Sequence, residues 1–321
     1  MEYTTLGRTG LKVSVAGLGC GGFSRLGLGT GHSTDHAVGI IRQAMDLGVN
    51  LIDTAAVYGT EDVVGQAIRG VRRDSFVLCT KASKPREDKQ FSVDKILASL
   101  DESLRRLGVD HVDVFQLHAV PPAAYDHVRN EIAPALLRER DKGKFRFLGI
   151  TETSPNDHEA VMMNRAAQDT PWDTAMFAFN LMHQVARDQV FPFTRANGVG
   201  TLMMFAVRSI FARSAELAAE VRSLVEAGKL PAEFATDDPL GFLVHPDGAL
   251  SVTDAAYRYV RHEPGVDVVL FGTGDTDHLR QNIASILRPP LPEADRSRLA
   301  RLFGHLRGVG LALPPPMPGR G

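Results

Sequence analysis

Cysteine is nearly absent: the sequence has only Cys20 and Cys79, far apart and without a close Cys or His partner. A disulfide framework and a structural zinc are both disfavoured by that spacing, and no metal is expected. Charge of one sign is lacking too. Lysine and arginine number 36 against 38 acidic residues, a formal net charge of -2. No excess field is available to hold a polyanion, so nucleic acid is not an expected partner. The densest basic cluster, Arg69, Arg72 and Arg73, reads as the solvated end of a helix. No apolar run approaches the roughly 18 residues of a membrane span, and Met1–Thr9 is polar with no apolar signal core. The expectation is a protein of the reducing cytoplasm that does not enter a membrane.

What is present is a globular composition, 44% hydrophobic and 23% charged. Disorder is not the default for such a chain. Apolar runs that read as strands, Ser14–Leu18, Asn50–Asp53, Phe76–Thr80, Val112–Leu117, Phe145–Ile150, Thr174–Ala178, Gly200–Met204 and Val266–Phe271, alternate with helical spacing at Asp35–Leu47, Asp62–Arg69, Val93–Leu107, Val128–Lys142 and Leu250–His262. Ser33 or Thr34, Ser92, Ser154 with Pro155, and Ser251 stand where helix caps belong. Strand and helix repeated eight times predict an α/β fold, a (β/α)8 TIM barrel. Barrels reach 321 residues without splitting, so residues 1–321 are expected to be one domain. Within it, residues 1–13 read as an N-terminal hairpin around Gly7 to Gly10 that plugs the barrel bottom. Residues 208–248 form an insertion after the seventh strand, with a helical pattern at Ala215–Ala227. Residues 308–321 are a Pro/Gly-rich tail, in which Pro314–Gly319 reads as a surface strap or disordered.

Gly17-Leu18-Gly19-Cys20-Gly21-Gly22 satisfies G-x-G-x-x-G. That fingerprint binds a dinucleotide only where its third glycine opens a helix. Here the chain continues Phe23-Ser24-Arg25-Leu26-Gly27-Leu28-Gly29-Thr30-Gly31, which no helix tolerates. A glycine-rich loop over a barrel mouth is the better reading.

The C-terminal ends of barrel strands carry the chemistry of this architecture. Asn50–Asp53 ends in Asp53, with Tyr58 five residues on; Val77-Leu78-Cys79-Thr80-Lys81 ends in Lys81; Val114-Phe115-Gln116-Leu117-His118 ends in His118. Singly, each has a plain structural alternative: a loop-capping Asp, a packed Tyr before Gly59, a solvated Lys or His. Their placement at one pole of successive strands is what points to chemistry. A phenol has an unperturbed pKa of about 10. A neighbouring ammonium lowers it, a carboxylate can hold that ammonium in place, and an imidazole can orient a carbonyl beside the phenol.

Asp53-Thr54-Ala55-x-x-Tyr58-Gly59, Thr80-Lys81 and Leu117-His118 resemble, in order and approximate spacing, the tetrad of the aldo-keto reductase family, and the likeness runs from about Tyr3 to Leu306. The resemblance implies Tyr58 as general acid/base, Lys81 and Asp53 as its tuning pair, and His118 as the orienting residue. It also implies a nicotinamide cofactor, NADPH with NADH possible, lying across the mouth. Leu270–Asn282 resembles the family segment that holds the adenosine end and enters the last helix near Asp275. Gly272, Thr273, His278, Gln281 and Asn282 are the candidates there, and Cys20, Gly21, Asp53, Thr151, Glu152, Met204 and Phe205 the candidates nearer the nicotinamide.

Several positions depart from the family pattern. Gly272 and His278 stand where many members carry basic side chains. Gly149-Ile150-Thr151-Glu152 replaces Gly-Val-Ser-Asn, and Met176 stands where Gln often sits. Glu152 also reads as a plain surface residue. Phe23, Tyr58 and His118 are candidates to touch substrate, with the loops Phe23–Leu28, Ala119–Tyr125 and the insertion bearing Phe211 and Phe242 as walls. The implied function is NAD(P)-dependent interconversion of a small-molecule carbonyl (aldehyde, ketone or sugar) and its alcohol. The alternative is a nucleotide-binding regulatory or scaffold protein of the same fold with little turnover; a phosphate-handling barrel would leave the tetrad unexplained. The sequence leaves substrate identity and oligomeric state open.

Overall fold

The computed structural model describes residues 1–82, 92–153 and 156–311. A short antiparallel pair, β1 (Tyr3–Thr5) and β2 (Lys12–Ser14), precedes eight parallel strands: β3 (Ala16–Gly19), β4 (Leu51–Asp53), β5 (Val77–Lys81), β6 (Val112–Val120), β7 (Phe145–Glu152), β8 (Thr174–Ala178), β9 (Gly200–Met204) and β10 (Val268–Phe271). They close in sequence order, with β10 pairing both β9 and β3. This is the expected (β/α)8 barrel. The strands are apolar along almost their whole length because parallel strands are covered on both faces. Outward residues pack against the helices in one large cluster, and inward residues form a second that contains Leu51, Val77, Cys79, Val114, Met176, Leu202 and Val268.

The hairpin plugs that inner cluster from below. Leu6, Leu11 and Val13 belong to it. Arg8 seals the seam by donating to the carbonyls of Thr170, Trp172 and Asn197. Gly7 permits the approach: its φ is +47°, and a Cβ there would stand 2.2 Å from the Gly200 nitrogen.

The elements depart from the sequence pattern where backbone groups have other partners. Ser14 ends β2, and the first barrel strand begins only at Ala16. β10 starts at Val268 because the preceding Asp267 accepts from the amides of Gly7 and Thr201. The helix expected at Val128–Lys142 opens with a wide turn, Val128–Ile132, before Ala133–Asp141. Pro134, lacking an N–H, cannot close the ordinary ladder there.

Ser33 and Ser251 cap their helices, accepting from His36 N and Asp254 N, whereas Ser92 makes no cap bond. Ser154 with Pro155 and the Pro314–Gly319 tail lie outside the described residues. The helix Val161–Gln168 is capped instead by Asp157, which accepts from Val161 N and Met162 N. The insertion carries the helix Ser214–Glu226. After Cys20 the chain makes tight turns over Arg25–Thr30, with Leu26 and Gly27 at positive φ, and no helix begins before Thr34. The glycine string therefore builds a loop, not a Rossmann turn. Among the described residues no helix is long and apolar enough to cross a membrane.

Candidate active site

The four tetrad residues converge at the C-terminal mouth. Lys81 and Asp53 are buried, with Lys81 Nζ donating to Asp53 Oδ2 at 2.6 Å and to the Thr54 carbonyl at 2.9 Å. The ammonium lies 4.9 Å from the centre of the Tyr58 ring. His118 sets its ring edge-on to Tyr58, with centroids 5.6 Å apart and an interplanar angle of 87°.

Local contacts explain this convergence. Tyr58 sits in the turn Ala56–Tyr58, which Gly59 ends at φ +66°. Thr54 and Thr60 hydrogen-bond across the base of that turn at 2.9 Å. The Tyr58 ring lies so close to the chain after β3 that a Cβ at Gly21 would stand 2.5 Å from its Cε2. Glu61, just after the turn, accepts from Thr80 at 2.6 Å and pairs with Arg106 at 2.7 Å, clamping the Tyr58 turn to the strand that carries Lys81. His118 is followed by Ala119 at φ +52°, and Thr151 Oγ1 holds that bend by accepting from Ala119 N at 2.6 Å.

Electrostatics at the mouth are those of a half-sealed ion pair. Burial pushes the Asp53 carboxyl up, opposed by Lys81 and by the Gln116 amide, which donates to Asp53 Oδ1 at 3.1 Å. Burial works against the charge of Lys81, but Asp53 and then Tyr58 overcome it and leave the amine above its ordinary range. That direction favours the charged form of Lys81 beside the phenol. For Tyr58 itself burial outweighs the ammonium, so the phenol lies above its ordinary value. The sequence alone shows only the downward pull of the ammonium. Tyr58 remains partly exposed to water, which tempers the effect of burial. A phenol kept protonated beside a fixed cation can give up a proton to an oxygen that is gaining charge, and the cation stabilises the phenolate left behind.

The other candidates are distributed unevenly. Cys20 and Gly21 lie at the end of β3, with the Cys20 amide donating to the Asp53 carbonyl at 2.8 Å; burial pushes the Cys20 thiol far up, so it is packing rather than nucleophile. Glu152 is 4% exposed, which overturns its reading as a surface residue. Its Oε1 accepts from Ala178 N at 2.7 Å, and burial raises its carboxyl to about 8. Met176 is sunk in the inner apolar cluster. Met204 ends β9 and Phe205 follows it at the mouth; Phe205 has φ +63° and lies under the Arg208 guanidinium at 4.3 Å.

Thr273 is buried and accepts from Asp275 N, and Gly272 packs close to Gly19, where a Cβ would meet the Gly19 carbonyl at 3.0 Å. The helix Thr276–Ile286 carries His278, Gln281 and Asn282, and it is followed by another, Glu293–Phe303, so it is not the last. The amides of Asp277 and His278 at its start are taken by the Asp275 carboxylate, so they are not free for an anion. Phe23 is half exposed beside the mouth. Tyr125 is buried against Asp169 and Trp172, and the half-buried Phe242 packs on Phe234 beneath Arg298. Glu61 and Gln116 escaped the sequence reading. Both are polar residues inside apolar patterns, which is the one signal that marks them.

A closed parallel barrel with this tetrad at its mouth defines a class of oxidoreductase, and the chain belongs to the Aldo/keto reductase family, whose sequence model matches residues 17–302. Among curated relatives, L-galactose dehydrogenase of Arabidopsis thaliana is 32% identical over 212 residues, 63% of this chain and 64% of that protein. Aldo-keto reductase YhdN of Bacillus subtilis is 27% identical over 303 residues, 85% of each chain. Among solved structures, the holo form of aldo-keto reductase AKR11C1 from Bacillus halodurans superposes with a TM-score of 0.71 at 23% identity, over 94% of this chain and 96% of that one. The chain thus spans just under two thirds of the plant enzyme's length and most of the length of the other two. The family interconverts carbonyls and alcohols with nicotinamide cofactors.

Proposed function

We propose that this chain is an NAD(P)H-dependent carbonyl reductase or alcohol dehydrogenase in which Tyr58 is the general acid/base. The observation that carries the reading is the buried Lys81–Asp53 pair, with its ammonium 4.9 Å from the Tyr58 ring. In the reducing direction Tyr58 gives its proton to the carbonyl oxygen, Lys81 stabilises the resulting phenolate, and Asp53 keeps Lys81 charged and in place. His118, edge-on to Tyr58, orients the carbonyl between them. In the oxidising direction the phenolate takes the alcohol proton.

The chemistry a bound nicotinamide supplies is a hydride exchanged with the carbon of that carbonyl. Thr151 and Glu152 at the end of β7, the Phe205 ring after β9 and the Gly272–Thr273 turn after β10 are the residues that would hold it. Glu152 suits that place better than its type suggests. With its carboxyl raised to about 8 it is a neutral acid at neutral pH. It then offers a donor and an acceptor, as an amide does. The partner is a small-molecule carbonyl or alcohol, and the likeness to L-galactose dehydrogenase makes an aldose the first substrate to assay.

Met176, apolar and buried where the family often has Gln, favours a second reading: a nucleotide-binding protein of this fold with little turnover. Titration with NADPH and NADH followed by a panel of aldehydes, ketones and aldoses separates the two. Oxidation of either cofactor by one of these is expected; tight binding with no turnover on any of them would leave the second reading standing.

A further inference from the structure

Gln116 sits inside the apolar run of β6 and is fully buried. Its Nε2 donates to Asp53 Oδ1, the carboxylate oxygen opposite the one held by Lys81. The reverse amide orientation would set two acceptors 3.1 Å apart, so the donor must face Asp53. Gln116 Oε1 then points away from the ion pair, and among the described residues it has no hydrogen-bond partner.

A second orphan lies nearby. Thr174 on β8 is fully buried, and its Oγ1 likewise has no partner. Strand register aligns Gln116 with Gly149 and Gly149 with Thr174. The point where a Cβ of Gly149 would stand is 2.4 Å from Thr174 Oγ1 and 2.8 Å from Gln116 Cγ. Both side chains therefore lean over the glycine toward one another, and a water between amide oxygen and hydroxyl would satisfy both. Buried polar atoms are rarely left unpaired, and a bound water is the usual partner where the protein supplies none.

We propose that Gln116, backed by Thr174 through a buried water, is a positioning residue that completes the coordination of Asp53 and so maintains the charged Asp53–Lys81 pair on which Tyr58 depends. The inference rests on the reading of Tyr58 as proton donor. Without the amide, one carboxylate oxygen is bare in a buried site. The proton of Lys81 then shifts toward Asp53, and a neutral amine no longer favours the phenolate. Among the described residues, the other titratable or charged groups around Tyr58 are Cys20, whose thiol burial keeps protonated, His118, and Arg25, which donates to the Tyr58 carbonyl.

Gln116→Met keeps the length of the side chain and removes the donor. It is expected to raise the titration of Tyr58 by about one pH unit and to lower kcat about tenfold, with KM and cofactor affinity unchanged. The phenol is read by ultraviolet difference absorbance against Tyr58→Phe, a measurement that needs no turnover. Thr174→Val, of similar shape, should move the same titration in the same direction by less. A Gln116→Met protein that loses thermal stability yet keeps the parental Tyr58 titration and kcat would overturn the proposal. Should that variant fail to fold, an unshifted titration in Thr174→Val does the same. If the parent turns over no carbonyl, it is the proposed function that fails, while the phenol titration still decides the role of Gln116.

Discussion

The two ends of the barrel interior are built by the same alternation and filled with opposite chemistry. At the bottom, inward positions are Leu51, Val77, Val114, Leu202 and Val268, closed by Leu6, Leu11 and Val13 of the hairpin. At the top, Asp53 and Gln116 are the next inward positions on their strands, and Lys81 follows Val77 and Cys79 on a third. Moving two residues along β4 or β6, or four along β5, replaces an aliphatic side chain by an ionisable or amide one. One end secures the fold; the other holds buried charge that is tolerable only because each member has partners.

Breaking the upper end at its reacting atom should have the largest effect. Tyr58→Phe removes the hydroxyl but not the ring, and kcat for carbonyl reduction is expected to fall by about 10²–10⁴-fold with thermal stability unchanged. Full turnover in that variant would remove Tyr58 from the mechanism. Breaking the lower end should do the reverse. Leu6→Ala opens a void in the plug and is expected to cost about 2–5 kcal/mol in chemical denaturation, while kcat per folded molecule stays at the parental value.

The smallest effect sharpens the boundary between the two. The Glu152 carboxyl rises from 4.5 to about 8 because the folded chain buries it. A proton is thus bound more tightly in the folded than in the unfolded state, so the stability associated with this group is full below pH 4.5 and is lost as the pH climbs through about 8. Glu152→Gln should therefore gain stability relative to the parent as pH rises across that window, by on the order of 1–3 kcal/mol in denaturant titrations at its two ends. Parallel pH profiles for the two proteins would show that Glu152 is ionised throughout.

Much of this contrast was legible in the chain. Eight apolar runs, the hairpin and the tetrad positions follow from periodicity and from the polarity of strand ends, and β8 and β9 match their expected limits residue for residue. What was not legible depends on pairings between distant segments. Gln116 reads as one more residue in a strand until Asp53 is placed opposite it. Asp157 and Asp275 are caps whose acceptor role appears only once the helix start is fixed. The balance at Tyr58 also needed three dimensions, because the depth of a phenol in the mouth cannot be counted along a sequence.

The Arg8 latch ties the beginning of the chain to residues some 162 to 189 positions later, and Gly7 reaches Asp267 across 260. A segment made well before its partners is thus among the last to find its berth. It must wait until the strands it fastens have been synthesised and have curved round to receive it. Barrel closure in this protein is accordingly a late event, governed by contacts of long sequence separation, and a chain interrupted before Asp267 emerges has no floor.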